Sequence, residues 1–155
     1  MKYRRAKKRD AKKIAKLLST CFNIVSLKEG KEAFLRESQK DIFIVAENKG
    51  KFHGLISWDM HGLPKHQLAK IERICVLAGP NRDKVADGLL TTAIQSADKH
   101  FKKMRLKLRK IYATVHSSNV KLRNFYKRKG FVEEAKLKDH YYRGVDDFVL
   151  SMFFE

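Results

Sequence analysis

Three side chains in the stretch Val115-His-Ser-Ser-Asn-Val-Lys-Leu-Arg-Asn-Phe-Tyr-Lys-Arg-Lys-Gly-Phe131 are of kinds that carry chemistry. His116 carries an imidazole, the side-chain type suited to exchanging a proton near neutral pH. Asn119 can cap a helix with its side-chain oxygen, as can Ser117 and Ser118 beside it. Tyr126 brings a phenol with a reference pKa of about 10. No metal site accompanies them, because the six histidines show no ligand spacing. Cys21 and Cys75 stand far apart without a CxxC partner, so neither a disulfide framework nor a zinc site is expected, and Cys75 reads as a buried thiol.

These residues need elements to position them. Ile111–Val115 is apolar and partly β-branched, as suits a buried strand. Val120–Lys129 reads as a helix with Leu122, Phe125 and Tyr126 on one face. Gly130 is placed to end it in a left-handed turn, and Phe131-Val132 starts a new strand. Upstream, Lys2–Ala6 is a short strand, followed by an amphipathic helix bearing Ala11, Ile14, Leu17, Leu18 and Cys21 on one face and lysines on the other, with Asp10 as its expected cap. Residues 23–28 read as a loop and 29–38 as a second helix. Strands at 41–47 and 52–58 flank the turn Asn48-Lys49-Gly50-Lys51, with a bulge expected near Gly54. A loop at 59–67 leads to a strand at 68–77, broken by Ala78-Gly79-Pro80-Asn81. The longest helix runs from Arg82 to about His100. After residue 132 the chain is polar to Asp139, turns at 141–144, and ends in a strand over 145–154.

Composition narrows the class. One globular domain spanning 1–155 is the default at this length, with 43% hydrophobic residues. No apolar run approaches a membrane span, and the cytoplasm is the expected compartment. The charge is extreme, with 35 Lys and Arg against 17 Asp and Glu, a net +18. That balance fits a polyanionic partner such as RNA or a ribosome, and equally well a surface of solvated lysines.

The pattern Asn119-x6-Tyr126-x3-Gly130-Phe131, preceded by Val115-x-x-x-Asn119, resembles the second cofactor-side motif of the GNAT superfamily of N-acetyltransferases. The opening strand followed by Asp10-Ala-x-x-Ile-Ala-x-Leu-Leu is similar to the family's N-terminus, and the order β-α-α-β-β-β-α-β-α-β-β extends the resemblance over nearly the whole chain. It implies an α/β fold, a mixed and mostly antiparallel sheet flanked by helices, and acetyl-CoA as cosubstrate with no metal. By resemblance, Asn119 hydrogen-bonds the pantetheine side of coenzyme A, and Tyr126 projects toward the thioester sulfur as the group that stabilises the leaving thiolate.

The family's pyrophosphate loop, (Arg or Gln)-x-x-Gly-x-(Gly or Ala) before x-x-Leu-Leu, falls on residues 81–86. Ala86 matches. Asn81 occupies the leading basic position and Lys84 the glycine position, with Arg82 one residue from the expected cation. Gly79 or Gly88 would allow a shifted register. Ile74 and Val76 correspond to the strand whose backbone pairs with pantetheine and aims an N–H at the thioester carbonyl. Glu72 lies where other members place a base. The base position of the ribosomal-protein alanine acetyltransferase branch is Thr114 here, so that role does not transfer. Tyr141-Tyr142, followed by Asp146 and Met152, resembles the C-terminal segment of protein N-terminal acetyltransferases, whose tyrosines border the acceptor channel. The expected activity is acetyl transfer to an amine, either a protein N-terminus or lysine, or a small amine. The rival expectation is a non-catalytic module of the same fold that binds RNA or a ribosome through its basic surface.

Overall fold

The computed structural model describes residues 1–155. Seven strands form one sheet in the order β1-β2-β3-β4-β5-β7-β6, and four helices accompany it. The strands are β1 (Lys2–Arg5), β2 (Ile42–Asn48), β3 (Lys51–Met60), β4 (Leu68–Val76), β5 (Lys110–His116), β6 (Val132–Tyr142) and β7 (Val145–Phe153). The helices are α1 (Ala11–Cys21), α2 (Leu27–Glu37), α3 (Arg82–Lys103) and α4 (Val120–Arg128). Most pairings are antiparallel, and β4 runs parallel to β5. The chain folds as two compact units, residues 1–59 with 72–99, and residues 60–71 with 100–155.

In the first unit, α1 and α2 pack on one face of the sheet. Ile14, Leu17, Leu18, Ala33 and Phe34 form a core there with Phe43, Val45, Phe52, Leu55 and Cys75. On the opposite face, α3 approaches β3 so closely that a Cβ on Gly54 would stand 3.1 Å from Leu89. Trp58, almost fully buried, donates its indole N–H to the Ser96 hydroxyl of the same helix at 3.1 Å. The β2–β3 turn places Lys49 and Gly50 at positive φ, as a two-residue hairpin of this twist requires. The expected bulge is present: Ala46 pairs with Gly54 and Glu47 with Phe52, leaving His53 unpaired. Gly54 is needed there because a Cβ would meet the Cys75 carbonyl at 2.6 Å.

Three local expectations are corrected. α2 begins at Leu27 because Ser26 caps it, accepting from the Glu29 N–H at 3.1 Å, while the Glu29 carboxylate returns to the Val25 N–H. Asp10 precedes α1 but does not cap it with its side chain. Its carboxylate instead takes a two-pronged bond from Arg4 and another from the Lys7 N–H, which holds it well below the usual carboxylate range. Finally, Cys21 and Cys75 form a disulfide with Cα atoms 5.8 Å apart, so Cys75 is buried but is not a free thiol. The last residue of α1 lies over β4, a proximity that a sequence separation of 54 conceals.

In the second unit, β5 is flanked by β4 and by β7, and β7 lies between β5 and β6. Ile111, Ala113 and Val115 of β5 are buried together with Phe125, Tyr126, Phe131 and Leu150. β6 runs on through the polar segment to Tyr142, so Tyr141 and Tyr142 end a strand, and the turn shrinks to the two residues before β7. β6 is the outer strand, with a nearly continuous exposed surface and two breaks in its register against β7.

Candidate active site

α4 is built as its sequence requires. Asn119 stands at the N-cap, its side-chain oxygen accepting from the Leu122 N–H at 3.2 Å. Its amide NH2 is the remaining group that can donate to a ligand. The helix ends in a Schellman turn: the Phe131 N–H reaches the Tyr126 carbonyl, the Gly130 N–H reaches Lys127, and Gly130 takes φ +94°. That turn folds Phe131 back onto Tyr126, with ring centroids 4.9 Å apart. Tyr126 is 1% exposed, and burial alone pushes its phenol well above the ordinary range. A phenol so placed keeps its proton at neutral pH and serves as a hydrogen-bond donor.

His116 ends β5 opposite Asp147 of β7. Its Nδ1 lies 2.6 Å from Asp147 Oδ1, and Asp147 is 1% exposed. The rings of Tyr141 and Tyr142 stand edge-on to the imidazole at 6.0 and 5.9 Å. Tyr141 and Tyr142 are themselves well exposed. Of this group, Asp147 is the member that sequence reasoning missed. The segment around it drew attention for its tyrosines, and nothing in its spacing shows that β7 returns beside β5.

The first unit carries the other candidate residues. Ile74 and Val76 alternate along β4 with Arg73 and Cys75, so the two pairs face opposite sides. The strand leads into the first turn of α3, where Asn81, Arg82 and Lys84 are exposed and Ala86 is half-buried. The Lys84 carbonyl accepts from the Tyr3 hydroxyl at 3.3 Å, which ties the start of the helix to β1. A helix start presents N–H groups without intrahelical partners and a partial positive charge, which suits an anion. Arg82 and Lys84 add two exposed cations, and open space surrounds Gly79. The residues present therefore fit a pyrophosphate, with Asp83 the one acidic side chain in this turn.

Glu72 is exposed on β4, and its charge contributes to a concentration of carboxylates. Asp41 is pushed up to about 6, first by burial and then by the charges of Glu72, Asp59 and Glu37. Two cations partly balance the group. Arg73 binds Glu37 through two bonds of 2.9 and 2.7 Å, and Lys40 pairs with the buried Asp59 at 3.0 Å. Glu37 closes α2, Asp41 leads into β2, Asp59 lies in β3, and no spacing in the sequence links them to Glu72. No group of three or more His, Cys, Asp or Glu side chains is arranged to hold a metal ion.

Residues 11–131 match the Acetyltransferase (GNAT) family, and the chain belongs to that family. Its fold is shared by solved structures at low identity. It is similar to smu.2055 from Streptococcus mutans UA159, with a TM-score of 0.82, 20% identity and full coverage of both chains. It is also similar to a ribosomal-protein-alanine N-acetyltransferase from Brucella melitensis (TM-score 0.76, 15% identity, 99% of this chain and 100% of that one). A mutant form of the spermidine N-acetyltransferase SpeG from Vibrio cholerae gives a TM-score of 0.75 at 20% identity, covering 99% of this chain and 95% of that one. No curated protein matches the sequence significantly. No helix is long and apolar enough to cross a membrane.

Proposed function

We propose that the protein is a single-domain, acetyl-CoA-dependent N-acetyltransferase that acts on a primary amine in the cytoplasm. The observation that carries this reading is the buried phenol of Tyr126 on a helix whose N-cap is Asn119. Burial keeps Tyr126 protonated, so it can hydrogen-bond a departing thiolate. Asn119 holds the pantetheine arm through its free NH2. Ile74 and Val76 offer backbone groups to coenzyme A. Asn81, Arg82, Lys84 and Ala86 line the pyrophosphate end, where Lys84 supplies charge in place of the glycine's close backbone approach. Glu72 draws a proton from the incoming ammonium, directly or through water. Tyr141 and Tyr142 border the acceptor.

The acceptor classes named among the structural neighbours include a ribosomal-protein alanine, spermidine and an aminoglycoside. A chain of net +18 repels a polycation at long range. The carboxylates around Asp41 reverse that sign locally, and they favour a cationic small amine over a neutral peptide segment.

Calorimetric titration of acetyl-CoA into the wild type and Asn119→Ala tests the donor site. Micromolar binding, weakened by the substitution, is the expected result. Absence of binding in the wild type overturns the enzyme reading and leaves the basic surface, with an RNA or ribosomal partner, as the feature to pursue.

A further inference from the structure

Asp147 presents an unusual arrangement for a carboxylate on an inner strand. It is 1% exposed, its Oδ2 has no partner, and its Oδ1 lies 2.6 Å from His116 Nδ1. A buried carboxylate with one satisfied oxygen is costly unless its partner carries a proton toward it. The least costly state puts the proton on Nδ1 and leaves Nε2 as a lone-pair acceptor. The His116 side chain is 43% exposed, so the ring is anchored at one edge and accessible beyond it. Tyr141 and Tyr142 stand against the same ring, and they are the residues assigned above to the acceptor.

We infer that His116 is a proton acceptor for the amine substrate and that Asp147 is the positioning residue that fixes its tautomer. The inference rests on the acetyltransferase reading. The substrate ammonium gives one proton to His116 Nε2. The freed lone pair forms the C–N bond to the acetyl carbon as the C–S bond breaks. The nitrogen then sheds its second proton and the departing sulfur gains one, so the net product is one proton, released to solvent from the imidazolium.

The other charged groups near His116 are accounted for. On β7, Asp146 is engaged by the Asp139 N–H and by Lys136. From β6 come the two tyrosines, with His140 edge-on to Tyr141. From α4, Arg123 reaches the Ser117 carbonyl and pairs with Glu133. Tyr112 lies on β5 itself. Asp147 is thus the carboxylate in direct contact with the imidazole.

The test uses three measurements on the full chain. Nitrogen-15 NMR of the histidine rings should show His116 with the proton on Nδ1 in the wild type and a mixed tautomer in Asp147→Asn. A proton found on Nε2 in the wild type overturns the inference. Calorimetry should show acetyl-CoA binding unchanged in His116→Gln, and lost binding in the wild type would instead overturn the parent reading. Acetyl transfer to a pool of spermidine, lysine, an aminoglycoside and an alanine-initiated tetrapeptide should rise with pH across the neutral range as the general base loses its proton. His116→Gln should lose that rise and about 10²-fold or more in rate, within the range typical of general-base catalysis. Asp41 titrates in the same window, so Asp41→Asn is the control that should keep the rise. A pH profile unchanged in His116→Gln assigns the dyad to holding β5 against β7 and overturns the inference. No transfer by the wild type to any member of the pool, despite acetyl-CoA binding, overturns the enzyme reading itself.

Discussion

The ring of Tyr3 occupies the space that a side chain on residue 88 would need. A Cβ built on Gly88 overlaps Cζ and Oη of that ring. The same hydroxyl donates to the Lys84 carbonyl one turn earlier, so β1 both supports and orients the start of α3. Gly88 therefore serves close packing in this helix rather than a shifted phosphate loop. Gly88→Ala should destabilise the fold by roughly 1–3 kcal/mol, as overpacking does, and weaken acetyl-CoA binding by tilting the helix start. Thermal denaturation and calorimetry check it. Adding Tyr3→Ala to the same chain should recover much of the binding.

On the proposed reading, Asn119 has two separable tasks. Asn119→Ala should cost about 1 kcal/mol through loss of the cap and should also weaken acetyl-CoA. Asn119→Ser retains a capping oxygen but not the amide NH2. Its stability should match the wild type while its affinity falls as far as that of the alanine variant. Equal affinity in Asn119→Ser and the wild type would remove Asn119 from the donor site.

Tyr126→Phe keeps the ring against Phe125 and Phe131 and deletes one hydroxyl. Stability should change by less than about 1.5 kcal/mol, as a well-matched core swap does. The turnover rate should fall about 10²-fold or more if the phenol assists thiolate departure. Because burial raises the phenol's pKa, the wild-type rate should not decline near pH 10 through loss of this proton.

The carboxylate group makes stability depend on pH. Asp41 is held near 6, above its unfolded value, so the folded chain keeps a proton that the unfolded chain sheds. Its contribution is fully present below about pH 4 and is lost as pH rises toward 6. Asp41→Asn should raise stability at pH 7.5 by about 1 kcal/mol, after allowance for solvent screening, and leave it unchanged near pH 3.5. Chemical denaturation at the two pH values measures the difference. A bound polyamine should act in the same direction as the substitution.

The Cys21–Cys75 bridge closes a loop of 54 residues, for which chain entropy assigns about 4 kcal/mol. Dithiothreitol should lower the melting temperature of the wild type and leave a Cys21→Ser/Cys75→Ala variant unmoved. Thiol titration of unfolded protein without reductant should find no free cysteine.

What the sequence disclosed depended on how locally it was encoded. The Asn119–Phe131 helix, with its cap, apolar face and glycine exit, is written in consecutive residues, and so is the Lys49-Gly50 hairpin. The start of α2 was missed although Ser26 and Glu29 form a capping pair in plain view, because the Asn23–Lys28 stretch lacks apolar periodicity. The sequence pattern ends β6 too early for a similar reason. The strand's few apolar residues, Val132, Ala135 and Leu137, do not keep to alternate positions, so the alternation that marks a strand is absent. The remaining misses are pairings between distant segments. Asp147 meets His116 through strand order, Cys21 meets Cys75 through helix placement, and Glu37, Asp41 and Asp59 surround Glu72's charge only in the folded unit.

The polar character of β6 carries a consequence of its own. An outer strand of 11 residues offers a row of unpaired amides to any passing chain. Here the row is interrupted where the register slips, once between Glu133 and Ala135 and again after Leu137, and Lys136 and Lys138 project from it. Each break shortens the segment that another molecule could zip against, and the charged side chains along the edge disfavour pairing. The same features that hide this strand from pattern reading make it a poor template for a second copy of the chain.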